Sequence, residues 1–233
     1  MIWWHGKSSD DFRVIVERYP SFNIPARKQE KISVPGRNGD LVLQQNAFEN
    51  IKQRYEVFIS AERPKIPTIS HLVAEWLCVP GYQKLEDSYW LDSYYLAVFS
   101  GGMEVENIFN RFGRCTIEFD CKPQRFLKSG ERVVEMSVSG KTLVNEYAFD
   151  ALPLITVYGT GSGTLTVGSD TLSLSGISEY ITLDSDVQNA YKGVLNQNSK
   201  MTGEFPKLRS GENLIAWTGD ITGVSIIPRW WTL

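Results

Sequence analysis

The chain has 233 residues, 42 % of them hydrophobic, with 24 lysines and arginines against 27 aspartates and glutamates. That near-balance leaves no electrostatic footprint for nucleic acid and no polybasic membrane patch, and no run of about eighteen apolar residues exists to cross a bilayer. The length is comfortable for two domains, and folding a chain of this size buries roughly 70 % of the extended surface, so no metal or disulfide staple is required.

Met1-Ile2-Trp3-Trp4-His5-Gly6-Lys7-Ser8 lacks the charged and apolar regions of a secretory signal, so synthesis and folding in a cytosol are expected. From Phe12 to Tyr19 the pattern predicts a strand with Phe12, Val14 and Val16 on one face. A loop through Pro20 and Pro25 leads to a hairpin. Ile32 and Val34 alternate on one side of it and Leu41 and Leu43 on the other. Asn38-Gly39 between them is a strong type I′ turn signal, and Pro35-Gly36 predicts a bulge or kink just before it.

Tyr55-Glu56-Val57-Phe58-Ile59 reads as another strand, stopped by Arg63-Pro64 and Ile66-Pro67. A helix follows, opened by Pro67 or Thr68, with Ile69, Leu72, Val73, Trp76 and Leu77 as its apolar stripe and Pro80-Gly81 as its end. His71 falls at the border of that stripe, where a surface histidine needs no functional explanation. Residues 93–121 predict a meander. Tyr95–Phe99 turns through Ser100-Gly101-Gly102 into Met103–Glu106, and Cys115–Cys121 follows until Lys122-Pro123 stops the sheet.

Beyond residue 130 the chain becomes rich in Gly, Ser and Thr. Val157, Leu165–Val167, Leu172–Leu174, Tyr180–Leu183, Leu214–Trp217 and Val224–Ile227 recur as short apolar runs with turn residues between them, which indicates a β-sandwich. Two domains are expected, residues 1–130 and 131–233.

Chemistry-bearing motifs are sparse. Gly159-Thr160-Gly161-Ser162-Gly163 has the wrong context for a phosphate cradle, because a strand rather than a helix follows it; a glycine-rich sandwich turn is expected. Two histidines and three scattered cysteines make no zinc set. Cys115 and Cys121 share one strand face about 20 Å apart and read as buried reduced thiols. Asp184 and Asp186 lack a calcium loop's glycine hinge and bidentate Glu. Glu86, Asp87 and Asp92 could be a glycosidase carboxylate pair, against a solvated loop as the plainer reading. Trp217, Trp230, Trp231, Tyr158 and Tyr180 are rings that fill a sandwich core or interface, or stack on sugars.

Taken in order, several segments resemble the distal tail protein (Dit) family of long-tailed siphophages. They begin with Gly6-Lys7-Ser8-Ser9-Asp10-Asp11-Phe12 and Val14-Ile15-Val16, then Ile32 to Leu43 with its Pro35-Gly36-Arg37-Asn38-Gly39 signature. Trp76-Leu77, Gly81, Leu85 and Tyr94-Tyr95-Leu96-Ala97 follow. In the second half the similar pieces are Asn145, Pro153-Leu154-Ile155, Val157-Tyr158-Gly159-Thr160-Gly161, Ile181-Thr182-Leu183-Asp184, Phe205-Pro206-Lys207-Leu208, Gly211-Glu212-Asn213 and Pro228-Arg229-Trp230-Trp231.

The resemblance implies a mainly β chain. Its N-terminal domain would be barrel- or sandwich-like with one helix, and its C-terminal domain a galectin-like β-sandwich. It implies a non-enzymatic hub at a virion tail tip, assembled in the host cytoplasm as a homo-hexameric ring. The ring joins the tail-tube protein to a tail-associated lysin or fibre and to receptor-binding proteins, with no cofactor, no metal, no nucleic-acid site and no membrane. Candidate ring contacts are Trp3, Trp4, Pro35, Gly36, Arg37, Asn38, Gly39, Asp40, Gly101 and Gly102, since protruding hairpins and terminal strands add backbone bonds across a boundary. The alternative is a carbohydrate-binding module that grips wall sugars through Tyr180, Trp217 or Trp231.

Overall fold

The computed structural model describes residues 1–60, 66–102, 104–108 and 112–233. The chain is mainly β and divides into two compact units, Met1–Arg125 with Leu233, and Phe126–Thr232. Among the described residues no helix is long and apolar enough to cross a membrane.

The first unit holds β1 (Ile2–Trp4), β2 (Lys7–Ser8), β3 (Val14–Val16), β4 (Arg27–Ile32), β5 (Leu41–Phe48) and β6 (Ile51–Ser60). After them come α1 (Ile66–Leu77), β7 (Gln83–Asp87), β8 (Ser93–Phe99), β9 (Glu106–Ile108) and β10 (Phe112–Leu127), whose last two residues lie in the second unit. The main sheet runs β2-β1-β7-β8-β10-β6-β3, with β9 also on β10. Strict alternation builds its core. Tyr55, Val57 and Ile59 of β6 and Ile117, Phe119 and Cys121 of β10 all face inward, and Ile117 lies opposite Tyr55. Each fully buried aliphatic or aromatic side chain contributes about 1.5–3 kcal/mol.

Helix α1 covers this face with Ile66, Val73, Trp76 and Leu77, and Trp76 stacks on Phe12 at 4.9 Å. Leu72, expected in the apolar stripe, is exposed, because the buried face runs through the 66, 69/70, 73, 76/77 positions and leaves 72 beside the exposed His71. The breaker Arg63-Pro64 lies outside the described residues.

Three expected elements differ. Phe12 does not open a strand: Ser9–Phe12 forms a 3-10 turn. Ser8 caps it by accepting the Asp10 N–H, and the Asp11 carboxylate accepts the Ser8 N–H, a capping box that outweighs the strand pattern. Among the described residues no hairpin forms through Gly101-Gly102. β8 pairs with β7 and β10 instead, and β9 pairs with β10 (Met103 lies outside the described residues). Pro123 does not stop β10, which continues to Leu127. Pairing with β6 already ends at Cys121 opposite Ile51, so the missing proline N–H forfeits no bond to β6.

The second unit contains β11 (Val134–Met136), β12 (Lys141–Asn145), β13 (Leu154–Val167), β14 (Asp170–Asp184), β15 (Asn189–Lys192), β16 (Leu195–Asn196), β17 (Met201–Thr202), β18 (Gly211–Ile227) and β19 (Trp231–Thr232). Its sheet runs β11-β18-β13-β14-β15-β16, with β12 on β18 and β17 on β14. The short strands expected here are halves of long ones. Val157 and Leu165 belong to one strand, Leu172 and Ile181 to the next, and Leu214 and Val224 to a third.

The glycines between these halves are therefore not turns. Gly159, Gly161 and Gly163 mark bulges where β13 and β18 shift register. A Cβ on Gly163 would meet the Thr218 carbonyl oxygen at 2.4 Å, and one on Gly219 (φ +74°) would meet the Ser162 carbonyl oxygen at 2.4 Å. The Asp220 carboxylate accepts the Ser162 N–H at 2.9 Å and ties the bulge shut. The real turn is Gly168-Ser169 between β13 and β14. Of those two residues only Gly168 has positive φ, as a type II′ hairpin requires.

Candidate assembly surfaces

The hairpin read from sequence exists, but it turns differently. β4 and β5 pair from Ile32 opposite Leu41, so the loop is eight residues rather than two. Asn38 has no positive φ, which rules out a type I′ turn at Asn38-Gly39. The tight turn is Val34-Pro35-Gly36-Arg37. Proline sits at its second position, Gly36 has φ +81°, and the Arg37 N–H donates to the Val34 carbonyl at 3.1 Å. That is a type II turn, in which proline presets one dihedral and glycine supplies the positive one. The bulge lies at the far end of the hairpin, between Arg27 and Gln29.

Among the described residues β4 and β5 pair only with each other. Ile32, Val34, Leu41, Val42 and Leu43 are 38–46 % exposed. An isolated two-stranded ribbon is marginal in water, and one with apolar residues on its surface is built to be covered.

A second exposed apolar set lies on the same unit. The strap of residues 17–26 places Tyr19 against Tyr89 at 4.8 Å and Phe22 against Trp90 at 6.1 Å. Asn23 holds the strap by donating to the Lys52 carbonyl at 3.0 Å. Asp87 fixes the turn that carries Tyr89 and Trp90: it accepts both their N–H groups at 2.9 Å and the Tyr55 hydroxyl at 3.1 Å. Burial and the nearby Asp87 charge push the Tyr55 phenol well above its ordinary pKa. Asp87 is thus a structural acceptor, not a free carboxylate.

Below these rings lies buried Arg125. Its guanidinium sits over Trp90 at 4.6 Å, Tyr95 at 4.8 Å and Phe22 at 5.4 Å, and Nε donates to the Tyr95 hydroxyl at 3.0 Å. Burial raises the Tyr95 pKa, with Arg125 working against that rise. Nothing in the sequence marked this cluster. Its signal was available only as aromatics at 19, 22, 89 and 90, scattered over two loops.

The remaining predicted contacts separate. Trp4 is fully buried, with Nε1 donating to the Leu77 carbonyl at 3.3 Å and its ring 4.7 Å from Phe119, so it is a core residue. Trp3 is half-buried between Ser8 and Glu86. Gly101 and Gly102 line a cleft of about 660 Å³ with Arg18, Tyr19, Arg54 and Glu118. There the half-buried Glu118 carboxylate, held by Lys52 and Arg54, has a lowered pKa. Pro35 to Asp40 are all exposed at the arm's tip.

In the second unit two of the three sugar candidates are occupied. Trp217 packs on the core, and its backbone exchanges hydrogen bonds with the Ser139 hydroxyl. Trp231 stacks on Phe149 at 4.4 Å and donates Nε1 to the Asp150 carbonyl at 2.9 Å. Tyr180 lies opposite the exposed Tyr158, with the Lys192 amine 5.1 Å above its ring. Asp184 binds Arg229 rather than presenting a cation site, and no cluster of three or more His, Cys, Asp or Glu able to hold a metal occurs among the described residues. Burial pushes the Cys115 thiol up to about 11 and the Cys121 thiol up to about 12.

Residues 8–121 match the phage tail protein RIFT-related domain family. Over 100 % of this chain and 98 % of the other, the structure is similar to the crystal structure of the SPP1 Dit (gp 19.1) protein, described as a paradigm of the hub adsorption apparatus in phages infecting Gram-positive hosts, with a TM-score of 0.79 at 11 % identity. No curated protein sequence matches the chain. Residues 8–121 are thus similar to the phage tail protein RIFT-related domain, and over its whole length the chain shares the fold of the SPP1 Dit protein.

Proposed function

We propose that this protein is the structural hub of a phage tail tip: a homo-hexameric ring, without catalytic activity, that joins the tail tube to a lysin or fibre and to receptor-binding parts. One observation carries the reading. Among the described residues the β4–β5 arm pairs with no strand of the main sheet, and it leaves an apolar surface uncovered. A ring needs two unlike, complementary surfaces on each subunit, because its contact is heterologous and must close.

In this reading the arm is one surface and the Tyr19–Phe22–Tyr89–Trp90 set of the neighbouring subunit is the other. Charge agrees. Residues 27–48 carry Arg27, Lys28, Lys31 and Arg37 against Glu30 and Asp40, whereas residues 17–26 and 86–92 carry Glu17, Glu86, Asp87 and Asp92 against Arg18. Trp4 drops out of the contact surface because it is core, and Pro35–Asp40 remain as the arm's tip.

Light scattering with negative-stain imaging tests the reading, alone and with tail-tube protein added. Six-fold rings near six times 26.4 kDa are expected. Monomers under both conditions would overturn it. Titration with wall polysaccharide separates the sugar-binding alternative, for which the Tyr158–Tyr180 pair is the least obstructed platform.

A further inference from the structure

We propose that Asn38-Gly39, at the tip of the β4–β5 arm, is a site of spontaneous deamidation that converts Asn38 to aspartate or isoaspartate. It is the single Asn-Gly dipeptide in the 233 residues. Both residues are exposed, as is every residue from 31 to 40. Neither the Asn38 side chain nor the Gly39 N–H has a hydrogen-bond partner among the described residues. Gly39 stands in open space, with nothing within 4 Å of the position a Cβ would take.

The chemistry needs that freedom. The Gly39 backbone nitrogen, losing its proton to solvent base, attacks Asn38 Cγ and forms a new C–N bond. The Cγ–Nδ2 bond breaks, and the departing nitrogen takes up a proton and leaves as ammonia. Water then opens the five-membered succinimide at either carbonyl. One opening gives aspartate; the other gives isoaspartate, with an extra carbon in the backbone. A side chain at position 39 would crowd the attack, and a hydrogen bond on either reacting group would hold it back. Glycine and an open loop remove both obstacles.

Asn189 and Asn198 are held. Asn198 lies in a 3-10 turn, its Oδ1 accepts the Ala190 N–H at 2.5 Å, and its own N–H donates to Asn196. The Ala190 N–H that donates to Asn198 Oδ1 is the amide that follows Asn189. The product matters for the arm, since a new carboxylate two residues from Asp40 cuts the arm's excess of cations over carboxylates from two to one.

The test is peptide mapping by mass spectrometry of the intact chain after incubation in mildly alkaline buffer, with enzymatic isoaspartate methylation as a second readout. The Asn38 peptide is expected to convert at least several-fold faster than the peptides holding Asn189 and Asn198, with isoaspartate among the products. Asn38→Gln should abolish the signal without a change in melting temperature, and Gly39→Ala, at a position with φ +80° in open space, should slow it several-fold. Conversion at Asn38 no faster than at Asn198, or a rate indifferent to Gly39→Ala, would overturn the proposal.

Discussion

Asp184 ends β14 with both oxygens on the Arg229 guanidinium, at 2.7 and 3.0 Å, and it also accepts the Asp186 N–H. Burial works to raise its pKa, but the Arg229 hydrogen bonds and charge outweigh burial, so the carboxyl sits below its ordinary value. A group depressed on folding adds stability above its unfolded pKa, about 3.9, and that contribution is lost as pH falls through the lower folded value. Asp184→Asn should therefore cost about 2 kcal/mol at neutral pH. The gap to the native chain should be constant above about pH 5 and close in stronger acid. Urea midpoints at pH 7 and pH 3 check this, and an undiminished gap at pH 3 would refute it.

Glycine offers a sharper contrast at the same scale. Gly219→Ala meets both a positive φ and the Ser162 oxygen at 2.4 Å, whereas Gly193→Ala meets only a positive φ in open space. The first should cost about 3 kcal/mol and the second about 1 kcal/mol in denaturant midpoints. The sequence singled out Gly163, which lies opposite Gly219, but as part of a turn. A turn and a bulge draw on the same residue type, and only the partner strand tells them apart. Asn38-Gly39 misled in a similar way: Pro35-Gly36, read as an interruption, closed the turn first.

Among elements, alternation made the β6 and β10 cores legible, because one face of each strand is buried along its length. It failed where bulges reset the parity, so that β13, β14 and β18 each read as two short strands. Arg125 and its rings were invisible because their elements meet only in the folded sheet. The arm was legible as a hairpin, and its lack of a partner strand was not. Leu41→Lys with Leu43→Lys tests what that lack means. Both side chains are exposed in the single chain, so the melting temperature should hold within the spread of ordinary surface changes, about 0.5 kcal/mol. Ring formation, measured by light scattering, should be lost. A ring that persists would show that the arm is not a subunit contact. A drop in melting temperature would show that the arm is covered within its own chain.

At the level of the whole molecule, the two units have separate cores. Val57, Trp76, Ile117 and Phe119 belong to one, and Ile155, Leu165, Ile181 and Ile226 to the other. Residues buried in one cluster do not appear in the other, so a cavity cut into one core leaves the second intact, and the effects of distant sites add independently. Ile117→Ala and Ile155→Ala each remove a fully buried side chain, at about 2–5 kcal/mol. Calorimetry of the full chain should then show two transitions, each variant lowering one and leaving the other in place. Their double variant should lower both by the sum. If either variant moves both transitions together, the chain folds as one cooperative body. The arm and the aromatic set would then belong to a unit whose stability depends on residues beyond Arg125, and loss of rings in a second-unit variant could no longer be read as loss of a contact.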